Sequence, residues 1–146
     1  MGNFTEEQLN EIREKTIKFS YANEFNAHIG YEFLELNINY GKARMKCKKE
    51  LLNPYGSVHG GVLLSLADAV VGTTACMCGY FVTTVSCNLN FLLPAIGPEY
   101  IYCEAILLRA GKHIMVYQVK ITNEAGKLLD SGEYSYFVSD KAILDT

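Results

Sequence analysis

The stretch that decides the fold reads His59-Gly-Gly-Val-Leu-Leu-Ser-Leu-Ala-Asp68-Ala-Val-Val-Gly-Thr-Thr-Ala-Cys76-Met-Cys-Gly-Tyr-Phe-Val82. From Gly60 to Val82 there are twenty-three residues and one charge, Asp68. That length can span a bilayer, but an Asp near the middle of a spanning helix costs about 2.5–3.5 kcal/mol, and no second apolar segment accompanies it. A helix over 61–78 that is apolar on every side is expected inside a protein core instead. Burying all sides of one helix requires a sheet that curves around it.

The flanking residues predict such a sheet. Upstream, Phe33, Leu34, Leu36, Ile38 and Tyr40 lead to a break at Gly41, after which Ala43, Met45 and Cys47 alternate with Lys42, Arg44, Lys46 and Lys48: two strands of a hairpin. Downstream, strands are expected over 82–92, 98–109, 113–123 and 127–138. Their separators, Pro94-Ala-Ile-Gly-Pro98, Ala110-Gly111 and Asn123-Glu-Ala-Gly126, have hairpin chemistry. At the N-terminus, Leu9, Ile12, Thr16 and Phe19 recur at helical spacing behind Thr5, with Glu6 and Glu7 in the first turn, and predict a short, half-exposed helix. The expected class is α+β: a curved antiparallel sheet wrapped around one long apolar helix. The expected organisation is an N-terminal helix and lead-in over 1–26, one domain over 27–138 and a tail over 139–146.

Composition narrows the function. At 146 residues the chain has room for one core, and a net charge of −3 is too acidic for a protein that neutralises phosphate backbones, so nucleic acid is not an expected partner. The basic stripe Lys42, Arg44, Lys46, Lys48 reads first as protection of an exposed strand face. Cys47, Cys76, Cys78, Cys87 and Cys103 are odd in number and contain no C-x-x-C, and they read as small buried hydrophobes in a reducing compartment. The opening MGNFTEEQLNEIREK is too charged for a signal peptide. A cytoplasmic protein without membrane attachment is the expectation.

The chemistry-bearing residues cluster where the apolar helix begins. Gly60 and Gly61 let a ligand approach unpaired backbone N–H groups, which with the helix dipole stabilise negative charge, including a developing oxyanion. The same glycines also suit a tight passage from loop to helix. His59 suits a helix cap as well as a catalyst. Asp68 sits mid-helix among Leu64, Leu66, Ala67, Ala69, Val70 and Val71, where a carboxylate costs free energy unless it is paired or working.

With these residues in view, the chain resembles the hotdog-fold thioesterases, in the branch typified by the phenylacetic-acid-degradation thioesterase. The resemblance covers about residues 27–138. It rests on Asn53, His59-Gly60-Gly61 and Asp68 as an N-x5-HGG-x6-D signature, on the strand Thr83 to Ala95, and on Arg109-Ala-Gly-Lys112 with Asn123-Glu-Ala-Gly-Lys127. It implies hydrolysis of an acyl-coenzyme A thioester without metal or other cofactor, in a homodimer with shared active sites that pairs into a dimer of dimers. It assigns the oxyanion donor to the N–H of Gly60, with Gly61 beside it, and the base or nucleophile to Asp68. Asn53 and His59 match the polar pair lining the thioester. Counting back from Pro94 puts the water-orienting hydroxyl at Thr84, although strict alternation sets Ser86 on the same strand face. Arg109 and Lys112, on a turn, are candidate clamps for coenzyme A phosphates. Leu93 stands where many relatives carry a basic residue.

Spacing adds a constraint of its own. Gly60 and Asp68 are eight residues apart on one helix, about 12 Å along its axis, so a single carbonyl cannot meet both within one chain. Two alternatives to hydrolysis share this architecture: a non-catalytic acyl-coenzyme A sensor and a hydratase. A sensor of the DNA-binding kind needs an appendage larger and less acidic than the lead-in, and a hydratase needs a different acid/base pairing.

Overall fold

The computed structural model describes residues 2–146. The elements are α1 (Glu6–Tyr21), α2 (Glu24–Ile29), β1 (Tyr31–Leu36), β2 (Tyr40–Lys46), α3 (Gly60–Cys76), β3 (Tyr80–Phe91), β4 (Tyr100–Ala110), β5 (Ile114–Asn123) and β6 (Leu128–Ala142). The six strands form one antiparallel sheet in the order β1-β2-β4-β5-β6-β3. This is the hotdog architecture. Its core is the face of α3 carrying Leu63, Leu66, Ala67, Val70, Val71 and Ala75, packed on inward residues such as Ala43, Met45, Cys103, Tyr117 and Val119.

The expected helix over 61–78 and the four downstream strands are present with ends shifted by a few residues. The break at Gly41 is not: Gly41 lies inside β2. The turn is made earlier, where the Asn37 side chain accepts from the N–H groups of Asn39 and Tyr40. Gly41 is a glycine for another reason, since a Cβ there would stand 2.0 Å from Thr74 Oγ1 on α3. The helix crosses the sheet against that bare backbone.

The N-terminal helix forms as expected behind Thr5, whose side chain and that of Gln8 make a reciprocal cap. Its Ile12 packs with Leu36, Cys76, Met77 and Ile143 at the far end of α3. The short α2 is an addition, capped by Asn23 and ended by Gly30 in the left-handed conformation (φ 71°); six residues are too few for a periodicity to register. Lys42 and Arg44 lie over the rings of Tyr102 and Tyr100 on the outer face of the sheet, which absorbs half of the basic stripe into packing. Of the cysteines, Cys87 departs from expectation and is exposed on β3.

Candidate active site

The loop before α3 is tied by its own side chains. Asn53 Oδ1 accepts from the N–H groups of Tyr55 and Ser57, and its Nδ2 donates to Ser57 Oγ. His59 is the cap of α3: its Nδ1 accepts from the N–H of Gly61 at 3.0 Å. Gly61 therefore has no N–H to offer a ligand. The N–H of Gly60 makes no hydrogen bond among the described residues. The Phe91 ring lies against Gly60, 3.3 Å from where a Cβ would stand. Gly60 and Asn53 line one pocket of about 360 Å³ with Ser57, Phe91 and Asp130, whereas His59 lines a separate hollow toward α2 with Phe25 and His28.

Two turns further along α3, Asp68 does not stand in the purely apolar setting its neighbours suggest. Its Oδ1 accepts from Thr84 Oγ1 at 2.8 Å and from the Tyr136 hydroxyl at 2.7 Å. The same hydroxyl lies 2.9 Å from the Asp68 carbonyl oxygen. Burial and the adjacent Asp68 push the Tyr136 phenol up, so it remains a donor. Asp68 Oδ2 takes no hydrogen bond among the described residues. The carboxylate edges a pocket of about 560 Å³ walled by Phe19, Ala69, Gly72, Val82 and Thr84. Part of this wall, Thr16, Phe19 and Ser20, belongs to α1.

Thr84 and Ser86 are separated by a bulge, which overturns the expectation that they share a face. Thr84 pairs with Tyr136, Ser86 with Ser135 and Cys87 with Tyr134. Since Tyr134 and Tyr136 both point inward to α3, the extra residue, Val85, turns Thr84 inward and Ser86 outward. Arg109 and Lys112 are not beside Gly60 in the same chain. Lys112 lines a cavity with Cys78 and Tyr80, past the other end of α3. Among the described residues no three His, Cys, Asp or Glu side chains converge as metal ligands.

Two residues of this geometry escape a sequence reading, Tyr136 and Asp130. The available signal is β6 itself, where Asp130, Tyr134 and Tyr136 recur at even spacing on one face with hydroxyls and a carboxylate among buried positions.

The profile of the Thioesterase superfamily matches residues 55–129, just over half the chain, including Gly60, Asp68 and Thr84. The chain belongs to the thioesterase superfamily. Human acyl-coenzyme A thioesterase 13 is 34% identical over 95 residues, covering 62% of this chain and 67% of that protein. Escherichia coli acyl-coenzyme A thioesterase PaaI is 26% identical over 99 residues, 68% of this chain and 71% of its own. The solved PaaI structure has the same fold, with a TM-score of 0.85 over 91% of this thioesterase and 96% of that chain at 20% identity. A hypothetical thioesterase of Streptococcus pneumoniae solved with coenzyme A gives a TM-score of 0.80 at 23% identity, over 86% and 98%. The unbonded Gly60 N–H and the braced Asp68 carboxylate are thus features of a thioesterase-family enzyme.

Proposed function

We propose that the protein hydrolyses an acyl-coenzyme A thioester to the free acid and coenzyme A. The observation that carries this reading is the Asp68 carboxylate, braced through Oδ1 by Thr84 and Tyr136 and free at Oδ2, at the edge of the larger pocket. Thioester hydrolysis needs a base for water and a donor for the oxyanion, while the thiolate leaves with little acid help. Asp68 takes a proton from a water whose oxygen attacks the carbonyl carbon. Thr84, with its own proton turned to Asp68, offers its oxygen lone pairs to that water. The Gly60 N–H and the start of α3 meet the carbonyl oxygen as it becomes negative. The intermediate then collapses by breaking the carbon–sulfur bond, and the proton held by Asp68 passes to the thiolate.

Gly60 and Asp68 line pockets with no residue in common, which supports a site shared between two copies. With two α3 helices antiparallel about a two-fold axis, Gly60 meets the partner's Asp68. The edge of β3 supports the same arrangement: among the described residues it pairs only with β6, and residues 83–88 are exposed. A long unpaired edge is a template for another strand. In such a dimer the end of β4 carrying Arg109 and the following turn carrying Lys112 in one copy come near the Gly60 end of the other, within reach of coenzyme A phosphates. The pneumococcal neighbour's coenzyme A and the relatives' names support the same ligand.

The test is incubation with crotonyl-CoA and a saturated acyl-CoA, following free thiol and the alkene separately. Thiol release with the alkene retained is expected. Alkene loss would make the protein a hydratase, and binding without turnover would make it a sensor. A wider acyl panel ranked by kcat/KM then names the acyl group.

A further inference from the structure

The pocket beside Asp68 is a slot bounded by α1, α3 and β3. Along α3 it runs from Asp68 past Ala69 and Thr73 to Cys76, eight residues and so about 12 Å. Over it α1 lies antiparallel, since Ile12 packs with Cys76 and Met77 while Ser20 bonds to Thr73. On β3, Thr84 holds the Asp68 end, and Phe81 and Val82 pack at the Cys76 end. There the Phe19 ring of α1 meets Phe81 edge to face, with centroids 5.2 Å apart, and bridges the slot from helix to strand. Phe19 is 65% exposed, so a chain laid against its ring covers apolar surface.

Among the described residues no Lys, Arg or His lines this slot, and Asp68 is its only carboxylate. Lys141, over the Phe81 ring at 5.0 Å, is not part of the lining. The polar side chains of α1, α2 and the far half of α3 are spent on the fold. Ser20 bonds to Tyr31 and Thr73, Thr73 Oγ1 also reaches the Ala69 carbonyl, Asn26 Nδ2 donates to the Ser20 carbonyl, and Asn23 caps α2. The Thr16 hydroxyl has no partner, but it is shielded from solvent and out of an occupant's reach. A thioester whose carbonyl carbon lies at Asp68 has two arms, the acyl group and coenzyme A. The phosphates of the second find no cation here, so the first enters the slot.

We infer that an uncharged, apolar acyl group lies between α1 and α3 of the same chain as its Asp68, with its tail on the Phe19 and Phe81 rings, and that Phe19 sets the acyl length the protein prefers. The inference rests on the Asp68 reading above. Phe19 and all of α1 lie outside residues 55–129, which the superfamily profile matches. Length selection at this end of the slot thus belongs to a segment that the family match does not reach. An extended chain advances about 1.2 Å per bond, so about ten bonds span the 12 Å from Asp68 to the ring pair. An acetyl group stops at the first turn.

The test uses the full chain and straight saturated acyl-CoAs from acetyl to hexadecanoyl. In wild type, kcat/KM should rise with length to about ten carbons and no further. Phe19→Ala should cut the decanoyl-to-acetyl ratio of kcat/KM about tenfold. The change should come through KM, since the tail makes the same contact in the ground and transition states. The chain has no tryptophan, so Phe19→Trp carries a single indole. Its emission should shift to the blue when a decanoyl dethia ketone analogue binds, in which CH2 replaces the thioester sulfur, and should be quenched when the tail of that analogue ends in bromine. An unchanged ratio in Phe19→Ala, or an indole unmoved by an analogue shown by calorimetry to be bound, overturns the proposal. If one variant does not fold or the analogue does not bind, the remaining measurement decides it. If wild type hydrolyses no acyl-CoA of any length, the Asp68 reading fails and takes this proposal with it.

Discussion

Asp68 is held by hydroxyls from two strands, Thr84 on β3 and Tyr136 on β6, and this bracing makes its chemistry testable one atom at a time. Asp68→Asn keeps the size and the bracing but removes the proposed base, so kcat should fall at least about 10²-fold in a folded protein. Near-normal turnover would make Asp68 structural. Thr84→Ala should lower kcat more than it raises KM, since the water contact matters most in the transition state, whereas the outward Ser86→Ala should leave both near wild type. Equal losses at the two positions would contradict the bulge. Asp130 makes a prediction about stability rather than rate. Burial lifts its carboxyl from 3.8 to about 7, so between those values the folded chain keeps a proton that the unfolded chain has released. Stability then falls as pH rises through that window and stays lowered above it. The urea midpoint of Asp130→Asn should gain on wild type from pH 5 to 8, and a constant difference would show that the carboxyl is not desolvated.

Among the elements, α3 and β2 meet more closely than either sequence suggests. Gly41→Ala would bring a Cβ to 2.0 Å from Thr74 Oγ1, an overpacking expected to cost about 1–3 kcal/mol. Removing the obstructing hydroxyl with Thr74→Ala should recover part of that loss, giving a favourable coupling in a double-mutant cycle of denaturation free energies. Additive costs would mean that the two elements are free to move apart. Gly41 also shows why the first hairpin was only partly legible. A glycine in an alternating strand signals a turn as readily as a close approach, and the side chain it makes room for lies thirty-three residues away. Likewise α1, readable as a helix from its spacing and capping residues, gives no sign in its own sequence that Thr16, Phe19 and Ser20 wall the pocket beside Asp68.

At the scale of the whole molecule, Gly60 and Asp68, the two halves of the proposed chemistry, lie in different pockets of one chain, and the proposed dimer joins them. Asp68→Asn and His59→Ala chains, each nearly inactive alone, should recover about a quarter of wild-type activity when refolded together. Half of the dimers are then mixed, and each mixed dimer has one intact site of two. His59 serves because its Nδ1 holds the first turn from which the Gly60 N–H projects. Mixed dimers that form and stay inactive would refute the shared site. The separation of Gly60 and Asp68 was readable from sequence, because residue number along a helix converts directly into distance. The single apolar helix, the curved antiparallel sheet around it and the HGG to Asp68 signature were readable for the same reason, since periodicity and loop chemistry act between near neighbours in the chain. Which hydroxyl faces Asp68 was not, because one bulged residue, Val85, reverses every later side chain on β3. Nor was the bracing of Asp68 by Tyr136, the burial of Asp130 without a hydrogen-bond partner, or the commitment of Gly61 to His59. Each of these depends on which groups from distant segments meet in space and which are left without a partner, and only the tertiary structure decides that.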